Sequence, residues 1–129
     1  FLGRLANFIN GELYGKITVL PWAVVFPNAG DLSRHPSQIY EALLEGLALF
    51  ILINYLALKK KLILKNGYIS GLFLVYYSIF RLFSENFREP DVHIGYFLNY
   101  FSLGSLLSFI TLCLGLLIIL FLRKNEPIN

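Results

Sequence analysis

Apolar residues concentrate in three stretches of this chain, at 40–58, 68–87 and 101–122. A hydrocarbon layer is crossed by about 20 helical residues, and each stretch is close to that length. The third is the plainest, because SLLSFITLCLGLLIILFL carries no charge. The first two hold charged residues, each costing about 2.5–3.5 kcal/mol at the centre of a spanning helix. The pattern predicts an all-α membrane protein with about three transmembrane helices, part of a larger polytopic bundle. An outward-facing interfacial segment, residues 1–39, precedes the helices.

Basic residues in short loops set the expected orientation. Lys59, Lys60, Lys61 and Lys65 lie between the first and second stretches, and Arg123 and Lys124 follow the third. Two crossings separate these groups, so both belong on one face, the cytoplasmic one. Residues 1–39 and 88–100 then face outward, and 123–129 form a cytoplasmic tail. Arg4, Lys16, Arg34 and Arg88 fall on the outer side, so the bias is not absolute. In the first segment LPWAVVFP is apolar but broken by Pro21 and Pro27, with Trp22 suited to the headgroup zone. NAGDLSRHPSQ is a polar turn region, and Pro36 suits the opening of the first spanning helix.

Composition agrees. The chain is 57% hydrophobic and 15% charged, against roughly 25% charged in soluble domains, so lipid must solvate the surplus. A net charge of +3 without a basic stripe argues against nucleic acid as a partner. The single cysteine, Cys113, excludes an internal disulfide and suits a small hydrophobe in an apolar helix. The chain contains no Met and opens on Phe1 within an apolar run. It is therefore expected to be a fragment, a processed product or a truncated form.

The second stretch carries the most chemistry. At about 100° per residue, Ser70, Tyr77, Arg81, Ser84, Glu85 and Arg88 share a sector of roughly 100°. In lipid such a stripe must turn toward protein or water. Leu74 interrupts it, and Asn86 is polar on the opposite side near the outer end. Arg81 and Glu85 are spaced to pair along the helix. They either neutralise each other as helix glue, or share their charge with an anionic lipid headgroup, with Arg88 and Tyr77 alongside. Glu41 and Glu45 share a face of the first helix. Glu41 reads as a carboxylate at the positive end of the helix dipole, while Glu45 is placed to pair with Arg34 or with an arginine of another span. His35 is either a base or a solvated loop histidine.

The stretch GRLANFINGELYG at residues 3–15 resembles the signature of the prolipoprotein diacylglyceryl transferase family. LPWAVVFP, RHPSQIYEALLEG and GLFLVYYSIFRLFSENFREPD agree with it in the same order, over about residues 3–91. The resemblance implies transfer of the diacylglyceryl group of phosphatidylglycerol to the lipobox cysteine thiol of a prolipoprotein signal peptide. A thioether forms and glycerol phosphate leaves. The implied partners are phosphatidylglycerol, that signal peptide and membrane lipid, the implied place is the bacterial inner membrane, and neither a metal nor another cofactor is implied. It also marks Asn7, Glu12, Gly15, Arg81 and Glu85 as catalytic and Arg4 and Arg81 as headgroup-binding, to which the polar stripe of the second stretch adds Tyr77 and Arg88. His35 and Glu45 are secondary candidates. A His-Gly-Gly segment and an early Tyr of the family have no counterpart here, so the chain is expected to match the C-terminal half to two-thirds of the enzyme and to be inactive alone. The competing readings are a non-catalytic membrane module, a lipid-binding subunit and half of a secondary transporter. The last predicts paired repeats, and none is visible.

Overall fold

The computed structural model describes residues 1–59, 67–89, 96–97 and 101–124. It is mostly helical. Helix α1 (Leu2–Asn10) is followed by the short strands β1 (Val24–Val25) and β2 (Ser33–Arg34). Then come α2 (Ser37–Glu41), a π-helical segment (Ala42–Ala48) and α3 (Leu49–Lys59). The rest comprises α4 (Tyr68–Glu85), β3 (Tyr96–Phe97), β4 (Phe101–Ser102) and α5 (Leu103–Lys124).

Two helices, Ser37–Leu58 and Leu103–Lys124, are long and apolar enough to cross a membrane. The first runs without a break through α2, the π segment and α3, and starts a turn earlier than its apolar residues suggest. α4 matches the second apolar stretch at its start and ends at Glu85, where Asn86 turns its side-chain amide back onto the carbonyls of Leu82 and Phe83. Asn86 therefore closes the helix. Lys60, Lys61 and Lys65 lie outside the described residues, as do 125–129 of the tail.

Two short strand pairs accompany the expected helices. β1 pairs antiparallel with β2, Val24 facing Arg34, and β3 pairs with β4. Pro21 and Pro27 account for the first pair. A turn at Pro21–Trp22 and a 3-10 turn beginning at Pro27 leave a segment too short to coil, so its backbone groups pair across strands. Phe26 is the buried pin, edge-on to Phe8 of α1 and stacked on Tyr14. Helix α1 is also an addition to the expected picture. Gly11 ends it in the left-handed conformation at φ 69°, and its N–H returns to the carbonyls of Asn7 and Phe8.

α4 and α5 pack antiparallel. Their backbones meet at Gly71 and Gly115, where a Cβ on Gly115 would lie 2.9 Å from the Gly71 carbonyl oxygen. Small residues at such a crossing let helices associate through close packing and polar contacts, the usual means inside a bilayer. The hydroxyls of Ser78 and Thr111 meet at 2.7 Å across the seam. The interior is polar to an unusual degree, since Ser37, Gln38, Glu41, Ser78, Ser84 and Ser108 are all buried. Meanwhile Phe109, Leu117, Leu120 and Phe121 of α5 are exposed. Apolar outside and polar inside is the distribution expected of helices solvated by lipid.

Candidate functional site

The buried polar groups converge on one carboxylate. Glu41, at the C-terminal end of α2, is fully buried. Its Oε2 accepts from Arg4 Nη2 at 2.7 Å and from Arg81 Nη1 at 2.8 Å. Arg81 Nη1 also reaches Glu45 Oε1 at 3.4 Å, and Arg81 Nη2 lies 3.1 Å from Glu85 Oε2. Ser102 donates its hydroxyl to Glu85 Oε1 at 2.6 Å and accepts the Ser105 N–H at 3.0 Å, so it caps α5 and holds the cluster at once. Gly104 makes room for this carboxylate, since a Cβ there would lie 2.9 Å from Glu85 Oε1.

The surrounding chain explains how these groups are held. Arg4, Asn7, Phe8 and Gly11 follow helical spacing down one side of α1, and this side faces α2. Glu41 and Glu45 flank the entry into the π segment, a geometry often found at functional sites. The start of α2 grips the turn after α1: Gln38 Nε2 donates to the Glu12 carbonyl at 2.6 Å, and Ser37 Oγ to the Leu13 carbonyl at 3.2 Å. Leu13 sits at φ 54°, a conformation a leucine rarely adopts, and these bonds hold it there.

Arg4, Arg81, Glu45 and Glu85 are thus brought together. Glu45 takes Arg81 as its partner, whereas Arg34 pairs with Glu89 at 3.1 Å and lies over the Tyr14 ring. The other candidates stand apart from this cluster. The Glu12 carboxylate is exposed and accepts from Asn10 at 2.9 Å, so the arginines are oriented by Glu41, Glu45 and Glu85 instead. Asn7 uses its carbonyl to receive the N–H groups of Gly11 and Glu12, and its side chain makes no hydrogen bond among the described residues. Tyr77 stacks on Phe73. Ser70 is exposed, while Ser84 is buried in the packed side of α4.

Gly15 is a backbone clamp. Its N–H donates to the His35 carbonyl at 2.9 Å, the next N–H, of Lys16, donates to the Phe87 carbonyl at 2.9 Å, and Gly15 bridges to Arg88. A Cβ at Gly15 would lie 2.5 Å from the Phe87 carbonyl oxygen and 2.6 Å from that of His35. The His35 ring rests on Phe87 and Tyr40. The Tyr40 hydroxyl is 3.2 Å from His35 Nδ1 and accepts from the Trp22 indole N–H at 2.8 Å. Burial, and then the Lys16 ammonium, hold the His35 imidazole below the ordinary histidine value. Beside it Leu43, Leu44 and Phe83 help line an apolar cavity of about 350 Å³.

Glu41 is the functional candidate that the sequence pattern undervalues. Its spacing to Glu45 is visible, but its second arginine arrives from α1, a short helix far from it in the chain.

A helical protein with two membrane-length apolar helices and a buried arginine–carboxylate cluster is the class defined by these features. The prolipoprotein diacylglyceryl transferase family matches residues 1–121, and the chain belongs to that family. Among similar proteins, the phosphatidylglycerol–prolipoprotein diacylglyceryl transferase of Rickettsia felis is 51% identical over 115 residues, covering 89% of this chain and 44% of the relative. The protein of the same name from Rickettsia bellii is 50% identical over 120 residues, covering 93% of this chain and 46% of the relative. The chain spans less than half the length of these relatives.

Proposed function

We propose that the chain supplies the phospholipid-headgroup half of a phosphatidylglycerol–prolipoprotein diacylglyceryl transferase. The observation that carries this reading is the convergence of Arg4 and Arg81 on a single buried oxygen of Glu41. Two guanidinium groups held in a protein interior suit a phosphodiester anion, whose oxygens accept paired N–H donors. α4 serves as a third span beside the two apolar helices. The C-terminal tail is cytoplasmic, and residues 1–39 lie on the outer face of a bacterial inner membrane, where the headgroup and the lipobox peptide both arrive.

In the reaction the cysteine sulfur attacks the diacylglyceryl carbon that bears the phosphate. A sulfur–carbon bond forms, the carbon–oxygen bond to phosphate breaks, and the electron pair leaves on the phosphate oxygen of glycerol phosphate. Arginine N–H groups aimed at that oxygen lower the barrier, because negative charge grows there in the transition state. Arg4 has the more open guanidinium, its side chain 25% exposed against 11% for Arg81, and meets the phosphate from the accessible side. Arg81, held by three carboxylates, is the more fixed of the two and stands behind it. The thiol must also lose its proton. The His35 imidazole, kept neutral by burial and Lys16, is suited to accept it.

The test is a graft. Residues 1–121 replace the matching segment of the Rickettsia felis relative, and the chimera is assayed with labelled phosphatidylglycerol and a lipobox peptide. Transfer that Arg4→Ala abolishes without loss of membrane insertion supports the reading. Undiminished transfer in the Arg4→Ala chimera contradicts it.

A further inference from the structure

Arg4 and Arg81 come from different helices, and neither has a reason of its own to sit beside the other, since like charges repel. What joins them is one oxygen. Glu41 Oε2 accepts from both at 2.7 and 2.8 Å, and the side chain that carries it is fully buried. The two nitrogens can be no further apart than two hydrogen bonds laid end to end. The second oxygen, Oε1, is buried without a hydrogen-bond partner among the described residues. A carboxylate held only for packing or helix-dipole reasons would not be expected to leave one oxygen bare while doubling the load on the other. Arg81 has two further carboxylates, Glu45 and Glu85, to hold it in place. Glu41 is the ion-pair partner that the described residues give Arg4.

We infer that Glu41 is a positioning residue for the phosphodiester headgroup: its shared oxygen sets where the Arg4 guanidinium stands relative to Arg81, and through Arg4 it sets affinity for the lipid anion. The inference rests on the headgroup reading above. Glu41 does not touch the phosphate. Its charge offsets the repulsion between the guanidinium groups and orients Arg4, whose remaining N–H donors are left for the ligand. Without that charge Arg4 is free to swing toward water, and the preformed pair is lost.

The experiment uses the full chain in nanodiscs of phosphatidylcholine doped with phosphatidylglycerol, and measures retained lipid by native mass spectrometry. The wild-type chain is expected to retain phosphatidylglycerol in preference to phosphatidylcholine. Glu41→Gln, which keeps the shape and removes the charge, should lower that preference about tenfold, as for loss of one charge-assisted contact. The melting temperature monitors the fold separately. In an Arg4→Gln background the same change should have no further effect, because the residue through which Glu41 acts is already gone. Unchanged or tighter retention by Glu41→Gln overturns the inference, the tighter case meaning that Glu41 competes with the headgroup. A loss that persists undiminished without Arg4 also overturns it. Should Glu41→Gln fail to fold, Glu41→Asp replaces it in the same comparison, and wild-type retention by that variant is the overturning result. Equal retention of both lipids by the wild-type chain sinks the headgroup reading and this inference together, whereas intact selectivity in the Glu41 variants sinks the inference alone.

Discussion

Replacing Gly15 with alanine adds one methyl group at a point where three segments meet. The new carbon would lie 2.5 Å from the Phe87 carbonyl oxygen, 2.6 Å from the His35 carbonyl oxygen and 2.7 Å from the His35 Cβ. Two of those neighbours are backbone, so no rotamer change relieves the overlap. Relief requires residues 14–17 to withdraw, which breaks the hydrogen bonds from Gly15 to His35 and from Lys16 to Phe87. Overpacking costs about 1–3 kcal/mol, and two hydrogen bonds add about 1 kcal/mol each. The sum is about 3–5 kcal/mol, and at roughly 4 °C per kcal/mol it lowers the melting temperature by some 12–20 °C. The control is Gly3→Ala in α1, where the added carbon meets nothing within 4 Å. There the higher helix propensity of alanine should be neutral or stabilising, by up to about 1 kcal/mol. Thermal melts of the two variants in the same detergent decide the matter. Equal melting of Gly15→Ala and wild type would refute the clamp.

Other perturbations probe different contacts. Arg81→Leu strands Glu45 and Glu85 and leaves Glu41 to Arg4 alone, and should cost about 3–5 kcal/mol, visible as poor membrane yield and early melting. Ser102→Ala removes both the α5 cap and a hydrogen bond to a charged carboxylate, for a loss of about 2–4 kcal/mol, while Ser102→Thr should recover most of it. His35 has a lowered value in the fold, so its neutral form belongs to the native state. Its contribution to stability is whole above the unfolded histidine value of about 6.5 and drains away as pH falls from there through the lower folded value. Melting curves from pH 8 to 5 should therefore fall more steeply for wild type than for His35→Gln.

The parts of this molecule governed by local period could be read directly from the residues. The polar stripe of the second apolar stretch singled out Arg81 and Glu85, and their pairing at 3.1 Å follows from helical spacing alone. α5 announced itself because it carries no charge before Arg123. Glu41 was harder, because a carboxylate near a helix start has an adequate local explanation in the dipole, and the pairing that contradicts it is long-range. The partner helix α1 was hard to see for another reason: it is only nine residues long and holds Gly3, Asn7 and Asn10, which are weak helix formers, although Leu2, Leu5, Ala6 and Ile9 do gather on one side. The π segment, the left-handed Leu13 and the clamp at Gly15 depend on contacts between segments far apart in the chain. A glycine announces freedom of backbone, but which carbonyls approach it is decided only when those segments meet.

The central claim is that a lipid phosphate lies against Arg4 in the cluster built on Glu41. Solid-state NMR on the chain with ¹⁵N-labelled arginine, in bilayers containing phosphatidylglycerol, measures the ³¹P–¹⁵N distance directly. The expected result is strong dephasing of an Arg4 guanidinium signal by phosphatidylglycerol phosphorus, at hydrogen-bonded separation, that disappears in Arg4→Gln and in bilayers of phosphatidylcholine alone. Phosphorus contacts confined to the surface residues Arg123 and Lys124, with none at Arg4, would contradict it.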